Sequence, residues 1–148
     1  MDERMAALFR RAARRQAVSV VVLVAILFGA AGTFRYWQGW LFLAALVGSS
    51  VALGLYFAKH DPALIERRVR AGPRAEREPA QKVIIALLMA DFLLTIILPA
   101  LDRRWHWSPL PAWLSILGAA GIVASFVVFF TVMKQNSYAA ATVRVETD

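Results

Sequence analysis

Residues 83–101 read VIIALLMADFLLTIILPAL, a run of 19 residues in which Asp91 is the only ionisable group. A helix rises about 1.5 Å per residue, so this run is long enough for a hydrocarbon core about 30 Å thick. Three further apolar runs of similar length cover residues 17–34, 36–58 and 112–133. Because every peptide group in lipid must be hydrogen-bonded within its own segment, these runs predict helices. The sequence therefore predicts an all-α polytopic protein, with residues 1–148 forming a single transmembrane domain of four helices.

The distribution of basic residues predicts how these helices are oriented. Five arginines lie in residues 4–15 and seven lysines or arginines in residues 59–82, against three in the other two connections. Cytoplasmic segments carry the excess of basic residues. All five tryptophans flank the two basic-poor connections, as in an aromatic belt at the outer interface. We therefore expect two hairpins in the cell (inner) membrane, joined by a basic cytoplasmic loop, with both termini in the cytoplasm.

The basic segments have a local structure of their own. Asp61-Pro62 is a typical helix start and Gly72-Pro73 a typical stop, which predicts a short interfacial helix over residues 63–71. Residues 4–15 are either a second interfacial helix or a solvated topology signal. The net charge of +7 lies beside helix ends, so we assign it to anionic lipid headgroups and expect no nucleic-acid partner.

Alternatives remain for the first run and for the helix contacts. The first run also resembles the apolar core of a signal peptide, with small residues at 29–31 as a cleavage site. Small residues predict close helix contacts at two faces. These faces are Ala44, Gly48 and Ala52 on the second run, and Gly118, Gly121 and Ser125 on the fourth.

Asp91 is the candidate functional residue within the membrane. A charged group at mid-span costs about 3 kcal/mol or more on insertion scales. It is therefore either a proton-relay, ion-site or substrate-cavity carboxylate, or a structural carboxyl bonded to a serine or threonine of a neighbouring helix. The chain has no cysteine, and its two histidines lie far apart, so the sequence predicts no metal site.

The connections between the apolar runs carry an ordered set of short motifs. They are Tyr36-Trp37-x-x-Trp40, His60-Asp61-Pro62-Ala63-Leu64-Ile65-Glu66-Arg67-Arg68, Glu78-Pro79-Ala80-Gln81-Lys82, Leu101-Asp102-Arg103-Arg104, Trp107-Ser108, Pro111-Ala112-Trp113, Asn136-Ser137-Tyr138 and Thr142-Val143. This order resembles the N-terminal half of an integral membrane methyltransferase of the isoprenylcysteine carboxyl methyltransferase family, over nearly the whole chain from about Tyr36.

The resemblance implies methyl transfer from S-adenosylmethionine to a lipophilic substrate. The family builds its cofactor site mostly from a later Gly-Pro-Tyr segment, an Arg-His-Pro motif, further helices and a late acidic residue, none of which this sequence contains. We therefore assign no catalytic, cofactor-binding or metal-binding residue. Asn136 and Tyr138 match the lead-in to that motif and are candidates for the cofactor-side entrance.

These features favour the membrane half of such a methyltransferase, inactive without a missing catalytic half. The alternatives are a non-enzymatic four-helix membrane protein that binds a partner helix or lipid, and an ion-coupled transporter built as a homo-oligomer around Asp91.

Overall fold

The computed structural model describes residues 3–61 and 79–135, which form four helices. Helix α1 is Glu3–Ala31, α2 is Trp37–His60, α3 is Pro79–Trp105 and α4 is Ala112–Gln135. All four are long and apolar enough to cross a membrane. The predicted all-α architecture with four such helices is confirmed, which supports a membrane-embedded protein.

Helix α1 differs from the first predicted span at both ends. It ends at Ala31, because Gly32 adopts a left-handed φ of 68° and donates its N–H to the Phe28 carbonyl at 2.9 Å. Residues 32–34, predicted inside the span, therefore belong to the connection. At the other end, the basic segment continues into the apolar part without a break, since no glycine or proline precedes Gly29 in this helix. Residues 4–15 are thus helical and continuous with the apolar part, and their proposed place at the membrane interface stays a prediction.

The predicted interfacial helix at residues 63–71 lies outside the described residues. The same holds for most of the basic loop that would join the two hairpins.

The helices pack in pairs that are not neighbours in the sequence. Helix α1 packs mainly against α3 and helix α2 against α4, while α1 and α2 contact each other less. Leu27 and Ala31 of α1 share a buried cluster with Ile96 and Ala100 of α3, so these two helices run in the same direction. Near the opposite end, Phe57 of α2 packs with Met133 of α4.

The two ends of the bundle differ in composition. The end of α1, the start of α2, the end of α3 and the start of α4 meet where all five tryptophans lie. We call this the tryptophan end, and the end at which α2 and α4 finish the His60 end. Large apolar side chains such as Val22, Leu55 and Leu87 are exposed along the helices between the two ends. This exposure suits contact with lipid or with another membrane helix.

The small-residue faces are not where the described helices approach each other closely. A Cβ atom built at Gly48, Gly118 or Gly121 would have no neighbour within 4 Å. The tight glycine is Gly39, at which a built Cβ would lie 2.7 Å from Cδ1 of Tyr36 and 3.2 Å from Cδ2 of Leu27. The expectation of close contacts at the small faces was therefore wrong for the described residues.

Candidate functional site

An apolar groove of about 340 Å³ lies between α2 and α4. Among the described residues that line it, only Ser49 and Tyr56 have polar side chains, and their polar atoms contribute little of its surface. A groove of this kind fits a hydrocarbon chain rather than a charged ligand. The described residues that line it are Ser49, Ala52, Leu53, Tyr56, Val123, Phe126, Val127 and Phe130.

The groove follows from a matched spacing on the two helices. On α2 the lining residues are Ser49 and the residues three, four and seven positions after it. On α4 they are Val123 and the residues at the same three distances after it. Residues with this spacing occupy one face of a helix. The small side chains of Ser49 and Ala52 leave room that larger residues would fill. Two facing stripes of this shape produce a groove along the bundle.

Aromatic rings gather where the groove approaches the His60 end. The ring of Tyr56 stacks on the His60 imidazole at 4.2 Å between centroids and meets Phe130 edge-on at 4.8 Å. Nδ1 of His60 is 2.9 Å from the Tyr56 carbonyl, one turn earlier. Because that bond needs a proton on Nδ1, it leaves Nε2 of a neutral His60 as an acceptor. Phe57 and Met133 are buried beside these rings and hold the two helices together.

A second cleft, of about 250 Å³, opens among all four helices near the tryptophan end. Leu27 of α1, Phe42 of α2, Ile96 of α3 and Ile122 of α4 are among its lining residues. Its polar groups include the side chains of Gln38, Thr95 and Ser115, so this cleft is more polar than the groove.

One acceptor in this cleft lacks a partner among the described residues. The Oε1 atom of Gln38 is buried and accepts no hydrogen bond from any of them. Buried acceptors are normally paired. The cleft therefore suits a water molecule or a ligand group that carries a donor.

Tyr36, in the connection between α1 and α2, lines the same cleft. Burial raises the pKa of the Tyr36 phenol above 10.0, the nearby Asp102 carboxylate raises it further, and Arg103 opposes the shift. The phenol is therefore neutral at physiological pH and can both donate and accept a hydrogen bond. It lines the same cleft as Gln38.

Hydrogen bonds fix the end of α3. The Asp102 Oδ1 atom accepts from the Ser108 N–H at 2.8 Å and from the Ser108 hydroxyl at 2.6 Å. His106 has a left-handed φ of 52° and donates its N–H to the Asp102 carbonyl. Nη1 of Arg103 donates to Nε2 of His106 at 3.0 Å, since a guanidinium has no acceptor. The tryptophans that follow, Trp105 and Trp107, stack at 5.0 Å.

The structure places Asp91 away from both cavities. Its side chain is exposed on α3, and it makes no hydrogen bond or ion pair with a described residue. The serine partners considered for it are not used among these residues; Ser125, for example, donates to the Gly121 carbonyl of its own helix. Asn136 and Tyr138 lie outside the described residues.

Sequence reasoning did not find the groove or the cleft. The matched spacing from Ser49 and from Val123 was a usable signal, but similar apolar spacings occur on lipid-facing surfaces.

No protein family matches this chain, and neither a curated protein nor a solved structure is significantly similar to it. Within residues 3–61 and 79–135, no cluster of three or more histidine or acidic side chains could hold a metal ion.

Proposed function

We propose that this chain is the membrane-embedded, substrate-binding part of an S-adenosylmethionine-dependent methyltransferase that resembles the isoprenylcysteine carboxyl methyltransferase family. The observation that supports the proposal is the apolar groove between α2 and α4. It leads toward the end where α2 finishes at His60 and α4 finishes just before Asn136. His60 and Asn136 are each the first residue of a segment that carries the family resemblance. A lipophilic substrate would place its hydrocarbon chain in the groove and its reacting group at the His60 end.

The proposal includes an orientation. The His60 end faces the cytoplasm with both chain termini, and the tryptophan end faces outward. In chain order the helices form two hairpins, α1–α2 and α3–α4, joined by the basic loop and its interfacial helix at residues 63–71, and each helix packs mainly against a helix of the other hairpin. The arginines of that loop and of α1 then meet anionic headgroups of the inner leaflet.

The groove does not fit S-adenosylmethionine itself. This ligand carries a sulfonium, a carboxylate, an amine and an adenine, whereas the described residues of the groove offer only the hydroxyls of Ser49 and Tyr56. His60 already uses Nδ1 within its own helix. We therefore propose that a second part, carrying the Arg-His-Pro motif, binds the cofactor against the His60 end.

Substrate binding is tested by photolabelling the chain in lipid vesicles with a diazirine derivative of farnesylcysteine. Val127 lines the groove, and its neighbour Val128 is equally exposed but does not line it. We expect Val127→Phe to lower labelling several-fold by filling the groove, and Val128→Phe to leave it unchanged. Equal labelling of both variants and the original chain would contradict the proposed binding site.

The methyltransferase assignment is tested separately by calorimetry with S-adenosylmethionine. Residues 1–148 alone should show no binding. Fusion to the C-terminal half of a family member, which supplies the Arg-His-Pro motif, should restore binding. Binding by residues 1–148 alone, or none after fusion, would count against the proposed division.

The open glycine positions favour a second candidate, a non-enzymatic membrane protein that binds a partner helix. Gly48 and Gly121 are exposed, and added Cβ atoms there would meet nothing within 4 Å. Such surfaces allow another helix backbone to approach closely. In this case Gly48→Leu or Gly121→Leu would remove a protein that co-purifies in detergent. Gly29→Leu is the matched control, since Gly29 is exposed and equally open on α1.

A further inference from the structure

The outward face of α3 combines Asp91 with a regular apolar stripe. Ile84, Leu87, Asp91, Leu94 and Leu98 are all exposed and follow one another at alternating steps of three and four residues. This is the spacing of the contact positions in two helices that pack along a common seam. We call these five residues the Asp91 stripe. Ile96 and Ala100, which α3 buries against α1, lie on a different face.

The carboxyl group makes this stripe unlike an ordinary lipid-facing surface. Asp91 lies near the middle of the apolar part of α3, where lipid offers no hydrogen bond. None of the described residues forms a hydrogen bond or an ion pair with the Asp91 carboxyl. Acidic groups at this depth face protein or a water-filled cavity rather than lipid. A partner for this face must therefore present a polar group at the same depth.

We propose that two copies of this chain associate through their Asp91 stripes, with the two Asp91 carboxyls hydrogen-bonded to each other. A second copy meets the depth requirement by symmetry. Copies inserted in the same direction are related by a two-fold axis along the membrane normal, which sets each residue of the stripe opposite its own equivalent. Two carboxyls that share a proton supply both the donor and the acceptor. The leucines on either side interdigitate along the seam.

This inference does not depend on the proposed function. The stripe consists of α3 residues, whereas the described residues that line the groove belong to α2 and α4. An inactive or non-enzymatic chain would still associate in this way.

Cysteine cross-linking in vesicles tests the geometry, because the chain has no cysteine of its own. Leu87→Cys places a thiol on the stripe. Ala86→Cys is the matched control, since Ala86 is also exposed and lies at nearly the same depth but points away from the stripe. Under oxidation, the Leu87→Cys protein should form a disulfide-linked dimer and the Ala86→Cys protein little or none. Equal cross-linking of both, or none with either, would overturn the proposed interface.

Substitution of Asp91 tests the role of the carboxyl. Dimerisation is measured by energy transfer between labelled copies in phosphatidylcholine vesicles, with helix content followed by circular dichroism. Asp91→Ala should weaken association about tenfold, the loss expected for one hydrogen bond between membrane helices. Asp91→Asn keeps a donor and an acceptor and should remain within about twofold of the original. An unchanged affinity for Asp91→Ala, at unchanged helix content, would refute the proposal.

Discussion

The aromatic ring of Tyr36 lies against the backbone of Gly39, so closely that a methyl group on Gly39 would stand 2.7 Å from Cδ1 of the ring. The same glycine N–H donates to the Tyr36 carbonyl at 3.1 Å. This contact folds the start of α2 back onto the end of α1, where Leu27 is the next neighbour.

Gly39→Ala should destabilise the protein by about 1–3 kcal/mol, because neither the ring nor Leu27 can move without disturbing the buried cluster. The free energy of unfolding in mixed micelles measures the effect. Gly54→Ala is the control, since Gly54 lies in the same helix with open space around it. That variant should be neutral or gain up to about 1 kcal/mol from helix propensity. Equal losses in both variants would contradict the contact.

Stability should fall at high pH because of Tyr36. Its pKa is raised in the folded state, mainly by burial and then by Asp102, so the folded chain favours the neutral phenol. The resulting stabilisation is fully present below the unfolded pKa of 10.0 and is lost as the pH rises through the higher folded value. Thermal unfolding between pH 8 and about pH 12 measures this loss. Tyr36→Phe should make stability depend less on pH in this range. An equally steep fall in the variant would mean that another group causes the loss of stability.

The turn after α3 should depend on the carboxylate of Asp102. Replacing it with alanine leaves the Ser108 N–H and hydroxyl without the oxygen that both now share. Because these groups are exposed and water replaces the lost bonds, we expect a loss of only about 1 kcal/mol. A Ser108→Ala variant removes one of the two bonds and should lose less. Amide hydrogen exchange at Ser108 reports the change, and unchanged protection in the alanine variant at position 102 would disprove it.

Met133 should be the most sensitive position in α4. It is 1% exposed and packs beside Phe57, so Met133→Ala should cost about 2–4 kcal/mol by leaving a cavity between α2 and α4. Val132→Ala is the adjacent control, because Val132 is 50% exposed and its truncation creates no cavity. Unfolding free energies of the two variants should differ by at least about 1 kcal/mol. Similar values would mean that the pair does not hold these helices together.

The sequence predicted the helices because lipid leaves the backbone no alternative to internal hydrogen bonding. It predicted their ends less well: the first run is apolar through Phe34, yet the helix ends where Gly32 turns to positive φ. Composition cannot show that turn, because apolar residues continue through it.

Helix pairing was beyond the sequence for a different reason. In water, the apolar face of a helix marks its buried side, but in lipid both buried and exposed sides are apolar. Leu87 is exposed and Ile96 is buried on the same helix, and their chemistry does not distinguish them. Residue spacing alone also could not identify Gly39 as a position without room for a side chain. That space is filled by the ring of Tyr36, which folds back across one helical turn.

The pairing of α1 with α3 and of α2 with α4 has a consequence for biogenesis. Domains generally fold as the chain emerges, N-terminal part first, but here the first two helices are synthesised before either of their main partners. The faces of Leu27 and Phe57 therefore have no partner helix until α3 and α4 follow. The full bundle can close only once the last helix has been synthesised, so packing is completed late in the synthesis of this chain.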